Sequence, residues 1–165
     1  MVYRAIGALF SQSGLSIAFA EFHENAGTWT FELKTNKSYH VREPDPLIRQ
    51  FIEENSLQYQ VALITTHTEV MEVLFSGASI AAATELPVIT DLTAIDIELG
   101  GTGQFYKTAA KKLGIIEENL SGLNKSIAVA FMGILRWREE YNFLSSVTGA
   151  SRSSIGGAIW LGQEG

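Results

Sequence analysis

Residues 86–103, LPVITDLTAIDIELGGTG, constrain this chain more than any other stretch. A short β-branched run, Val88–Thr90, stands between Pro87 and Asp91, the pattern of a brief buried strand that stops abruptly. A loop holding Asp91 and Asp96 is expected next. The glycines at 100, 101 and 103 then suit either a tight turn with positive φ or a backbone that approaches a ligand closely. A strand ending at an aspartate and passing into a glycine loop belongs to an open α/β sheet, where ligands collect beyond the carboxyl ends of the strands. The chain before this stretch is expected to build the sheet, and the chain after it to cover that sheet with helices.

The N-terminal third reads as strands. Val2–Phe10 and Leu15–Glu24 are apolar and β-prone, with turn chemistry at Ser11–Gly14 between them. Thr28–Thr35 alternates, placing Trp29, Phe31 and Leu33 on one face behind an Asn25-Ala26-Gly27 turn. Residues 36–43 read as loop. Asp45 caps a helix with Pro46 at its first position, and Leu47, Ile48, Phe51 and Ile52 share a face. Val61–Thr65 has the look of a buried strand, and a helix is expected over 69–84. Phe105–Leu113 reads as a helix stopped by Gly114. Leu123–Leu144 reads as a long, mostly buried helix, and Ile155–Leu161 as a last strand.

The order β-β-β-α-β-α-β-α-α predicts an α/β fold of the ribonuclease-H-like type, the half-domain of actin-like ATPases. Its mixed sheet has three antiparallel strands plus parallel crossover strands, with helices on both faces. A single domain over 1–165 fits the length. A net charge of −6 argues against nucleic acid and anionic membranes as partners. With no cysteine there is no disulfide, thiolate metal site or thiol catalysis. Gly7 and the Ser11–Gly14 segment interrupt the apolar N-terminus, which argues against a signal peptide. No run approaches ~18 uninterrupted apolar residues, so no membrane span is expected and a cytoplasmic location follows.

Several stretches resemble the anhydro-N-acetylmuramic acid kinases, two-lobed sugar kinases of the actin-like group. Ile6-Gly7 leads into Leu9-Phe10-Ser11-Gln12-Ser13-Gly14-Leu15, in the setting of the family's phosphate loop but without its two aspartates. Thr65-Thr66-His67-Thr68-Glu69 stands where the family has Ser-His-Gly-Gln-Thr. Asp91-Leu92-Thr93-Ala94-Ile95-Asp96 with Gly100, Gly101 and Gly103 is similar to the family's Asp-Phe-Arg-x-x-Asp segment and following glycines. Ser146-Val147-Thr148-Gly149-Ala150-Ser151 matches its closing motif. The family's Gly-(Tyr/Phe)-Asp-Thr-Gly-Pro stretch, with the water-activating aspartate, has no counterpart. The resemblance implies a shortened, catalytically impaired relative of an ATP-dependent sugar kinase of peptidoglycan recycling, a pseudoenzyme that keeps at most sugar or nucleotide binding. ATP and magnesium are the cofactors it implies.

On that resemblance His67, Asp91 and Asp96 are the sugar-binding candidates. Ser11, Ser13, Gly14, Gly100, Gly101 and Gly103 are the candidates for phosphate or nucleotide. Each has a plainer explanation: a helix or turn cap for the aspartates, a backbone bond for the histidine, hairpin and αβ turns for the rest. An alternative function is a non-catalytic, kinase-derived module that homodimerises, or meets a protein partner, through surface bared by the missing lobe. A third reading is a metal-dependent nuclease. It requires several carboxylates on adjacent strands, for which Glu21, Asp91 and Asp96 are the candidates.

Overall fold

A computed structural model describes residues 1–56, 61–70 and 86–148, with side chains of the last helix described as far as residue 139. β1 (Val2–Ser11), β2 (Gly14–Asn25) and β3 (Thr28–Tyr39) are followed by helix α1 (Asp45–Ser56) and β4 (Leu63–Thr68). Next come β5 (Val88–Thr90) and helices α2 (Thr93–Glu98), α3 (Gln104–Leu113) and α4 (Gly122–Thr148). The sheet order is β3-β2-β1-β4-β5. β1, β2 and β3 pair antiparallel, while β4 joins β1 and β5 joins β4 in parallel. This is the α/β, ribonuclease-H-like arrangement expected.

The two hairpins follow from local chemistry. Ala26 and Gly27 both have positive φ, the geometry of a two-residue turn whose twist matches the flanking strands. Ser11 pairs with Gly14 at the first hairpin. Gly14 sits at φ +120° with its backbone pressed on the Tyr39 carbonyl, where no Cβ fits. β3 runs on to Tyr39, past the expected end at Thr35, because one extra residue between the partners of Phe19 and Ala20 shifts the register and lets pairing resume. β4 likewise extends beyond the apolar run through Thr66, His67 and Thr68, since β1 pairs with it as far as Phe10.

Alternation along β1 and β2 splits the core in two. Ile6, Ala8, Phe10, Ile17 and Phe19 face Ile48, Phe51 and Ile52 of α1. Tyr3, Ala5, Leu9, Ala18, Ala20 and Phe22 face α3 and α4. Every residue of α4 from Ser126 to Ile134 is buried, so this helix is the keystone of that layer. The helix expected over 69–84 and the strand at Ile155–Leu161 fall largely or wholly outside the described residues. α2 occupies what the sequence reads as loop; it buries none of its residues, so it leaves no apolar periodicity to detect.

α4 lies very close to the sheet at two glycines. A Cβ on Gly7 would collide with the Ser126 carbonyl and the backbone of Ala130, and a Cβ on Gly133 would collide with the Thr65 hydroxyl. Gly133→Ala should gain up to about 1 kcal/mol of helix propensity on an isolated helix. Within the fold it is expected to destabilise by about 2–3 kcal/mol through overpacking, as is Gly7→Ala. Urea denaturation midpoints read this directly, and a stabilised Gly133→Ala protein would contradict the packing.

Candidate functional site

The carboxyl ends of β4 and β5 meet α2, α3 and the start of α4, and polar side chains concentrate there. Asp91 has φ +63°, a left-handed conformation that aspartate tolerates better than most residues. Its amide donates to the Thr66 carbonyl (2.7 Å), and its Oδ1 accepts from the Thr93 amide (3.1 Å) and hydroxyl (2.6 Å). The chain is thereby turned sharply off β5 into α2. The same Oδ1 lies 3.3 Å from His67 Nδ1.

His67 is buried, with Nδ1 accepting the Leu92 amide at 3.0 Å and the ring meeting Phe105 edge-on. An Nδ1 that accepts carries no proton, so this bond selects the neutral Nε2–H tautomer. Burial lowers the His67 pKa below its ordinary value, and the nearby Asp91 carboxylate pulls the other way.

Asp96 holds a helix rather than facing the cleft. Its Oδ2 accepts the Gly103 amide and its Oδ1 the Phe105 amide, both at 3.0 Å. One carboxylate thus satisfies two donors at the start of α3 and complements its positive end. The Gly101 amide donates to the Asp96 carbonyl and the Gly100 amide to the Ile97 carbonyl. These N–H groups are spent inside the chain. Thr102 takes φ +55° between Gly101 and Gly103 to complete the turn.

Ser11, Ser13 and Gly14 lie elsewhere, at the tip of the β1–β2 hairpin. The two hydroxyls bond each other at 2.9 Å, and the tip borders a separate hollow with His40 and Arg42. His67 and Asp91 are therefore brought together. Asp96 and the glycines form an adjoining, self-satisfied turn, and the serines stand apart.

Beside this lies a cleft of about 1040 Å³, bounded by α3, the connection 114–120, Glu69 and Lys125. Sequence reasoning missed its core. Tyr106 donates to Glu69 Oε2 at 2.7 Å, Lys125 Nζ stands 3.4 Å from the same oxygen, and Lys125 sits 5.0 Å above the Tyr106 ring. Burial, and then the bond to Glu69, push the Tyr106 hydroxyl far above its ordinary pKa, so it stays a proton donor. The three residues come from β4's end, α3 and α4, and no local pattern links them.

Glu21, Asp91 and Asp96 do not converge. Glu21 lies toward the other end of the sheet, where Arg4 Nε bonds it at 3.0 Å. Among the described residues one group has metal-ligand spacing: Glu21, His23 and Glu32, with ligand atoms within 4.8 Å of one another. No described helix is long and apolar enough to cross a membrane.

No family model and no curated protein matches the chain. Solved structures do. The structure of Thermus thermophilus RuvC matches with a TM-score of 0.59 and 13% identity, over 85% of this chain and 97% of that one. T. thermophilus RuvC in complex with a Holliday junction substrate matches with a TM-score of 0.53 and 13% identity, over 84% and 96%. Identity this low establishes the ribonuclease-H-like fold alone.

These neighbours correct the reading drawn from motifs. The fold is one that a RuvC chain displays across nearly its whole length, so neither a half kinase nor a missing lobe is needed to explain it. The assignments to anhydro-N-acetylmuramic acid kinase, to the actin-like ATPases and to a kinase-derived docking module are overturned. ATP is unsupported: the N–H groups of Gly100, Gly101 and Gly103 that were to hold its phosphates serve the chain itself. The exclusion of nucleic acid, drawn from net charge, also fails, because this fold is found bound to a DNA junction in RuvC. Net charge averages over a surface, whereas binding depends on where the cations lie.

Two measurements check the local chemistry. Asp91→Asn should lower the His67 pKa further, read by NMR titration, since the carboxylate opposes the effect of burial. A histidine held neutral contributes stability that is fully present above its unfolded pKa of about 6.5 and is lost as pH falls from there through its lower folded value. Asp96→Ala should cost about 1–2 kcal/mol by removing the donors' shared partner at α3. An unchanged denaturation midpoint would contradict the capping role.

Proposed function

We propose that the protein acts on nucleic acid, with α3 and its cleft as the contact surface. The observation that carries the reading is the lysine row on α3 in a fold shared with junction-bound RuvC. α3, QFYKTAAKKL, holds Lys107, Lys111 and Lys112 and no acid. Lys107 and Lys111 are one turn apart, exposed, and line the same cleft as Lys125. Lysines so placed meet successive phosphates as point charges.

Hydrolysis by a nuclease of this fold calls for a divalent cation, magnesium being the one to test. Glu21, His23 and Glu32 fit it poorly. Glu21 Oε2 already faces Arg4 at 3.0 Å and Lys34 at 3.9 Å, Glu32 Oε1 faces Lys34 at 3.2 Å, and His23 Nε2 is 3.2 Å from Glu21 Oε1. Two cations occupy the place of the metal, at the end of the sheet away from the lysine row. No step is therefore routed through an ion, and binding is the part of the function that these residues support.

Fluorescence anisotropy with a labelled four-way junction tests the reading. Binding should weaken steeply with salt. Lys107→Glu/Lys111→Glu should weaken it about ten-fold or more at low salt and flatten the salt slope by roughly one for each phosphate the lysines no longer neutralise. No binding at about 100 µM protein in low salt would overturn the proposal.

A further inference from the structure

The shape of the cleft, beyond its charge, carries an inference about which nucleic acid it takes; this rests on the reading just given. At about 1040 Å³ the cleft has the size of sites that take one small organic molecule. Its lining mixes lysines with Glu69, Glu117 and Glu118 around a small apolar patch. Lys107 and Lys111 project from α3, while Ala110, Ile115 and Leu120 supply an apolar surface beside them. Ile116, on the same connection, is 96% exposed, so a large apolar side chain stands in water at the mouth.

We infer that the cleft receives a single unpaired base of a DNA strand, its flanking phosphates resting on Lys107 and Lys111. A base has an apolar face and a polar edge, and a base withdrawn from its stack is held by apolar side chains that replace its neighbours. Ala110, Ile115 and Leu120 offer that replacement, and Ile116 stands exposed at the entrance. Asn119 and Glu117 also line the cleft and present acceptors, and Asn119 donors, toward a base edge. Tyr106 and Lys125 are engaged with Glu69 and form the fixed end of the site. The substrate class that follows is DNA with gaps, flaps or branch points, where a base is free to leave its stack at little cost, in preference to continuous duplex.

The experiment compares anisotropy titrations on a continuous duplex and on the same duplex carrying a short single-stranded gap, with 2-aminopurine in the gap. The unmodified protein should bind the gapped duplex at least about five-fold more tightly, and 2-aminopurine fluorescence should change on binding. Leu120→Trp, which fills the cleft, should abolish that preference. Ile116→Ser alters a side chain that touches almost nothing, so it keeps the fold and should reduce the preference even where Leu120→Trp fails to fold. Equal affinity for both DNAs, or a preference unaltered in Ile116→Ser and in folded Leu120→Trp, overturns the cleft assignment and leaves DNA binding standing. Failure to bind either DNA removes both.

Discussion

The close seating of α4 on β1 and β4 is the contact on which the structure depends. Gly7 and Gly133 let the helix backbone approach until the Ser126 carbonyl and the Thr65 hydroxyl occupy the space that side chains would need. Phe22, Trp29 and Phe131 then fill the flanking volume, with Trp29 and Phe131 edge to face at 4.9 Å. With α4 fixed this way, α3 packs beside it, and Phe105, Ala109 and Leu113 join the same buried cluster. The opposite face of α3 is left to the lysines. The surface proposed to meet nucleic acid is therefore a consequence of how the core is closed.

The carboxyl edge of the sheet is an accounting of backbone donors. β5 is three residues long, and the chain leaves it through a left-handed aspartate, a short helix and a glycine turn. Each of those departures strands N–H groups, and each is answered by a side chain or carbonyl nearby: His67 for Leu92, Asp91 for Thr93, Asp96 for Gly103 and Phe105. Groups that look like ligand-binding chemistry in a linear reading are consumed in holding the turn. The next layer out holds the partly exposed Glu69 and Lys125 over the buried Tyr106, and the exposed lysine row.

That distinction explains why motif resemblance led to a kinase while the fold matches that of RuvC. Aspartates and glycines at a strand end recur in many α/β proteins because parallel strands must end and helices must begin. Their spacing reports the turn. The chemistry that separates a phosphate cradle from a self-satisfied turn is whether the N–H groups point outward, and here Asp96 draws them in.

The apolar, β-prone runs Val2–Phe10 and Leu15–Glu24, the alternation after Thr28, the turn residues between them, and the helix start at Asp45-Pro46 were legible in the chain, because each obeys a rule of near neighbours. The sheet's α/β class followed from their order. Less was legible where pairing overrode composition: β4 continues through polar Thr66, His67 and Thr68 because β1 lies beside it. α2 escaped notice because it buries nothing. Local sequence determined the elements and the strand-end position of His67 and Asp91. Tertiary structure alone decided which polar groups were already spent on the backbone, and gathered Glu69, Tyr106 and Lys125 from three distant elements into one cleft. Such contacts depend on the distance between elements after packing, a quantity that residue spacing along the chain does not encode.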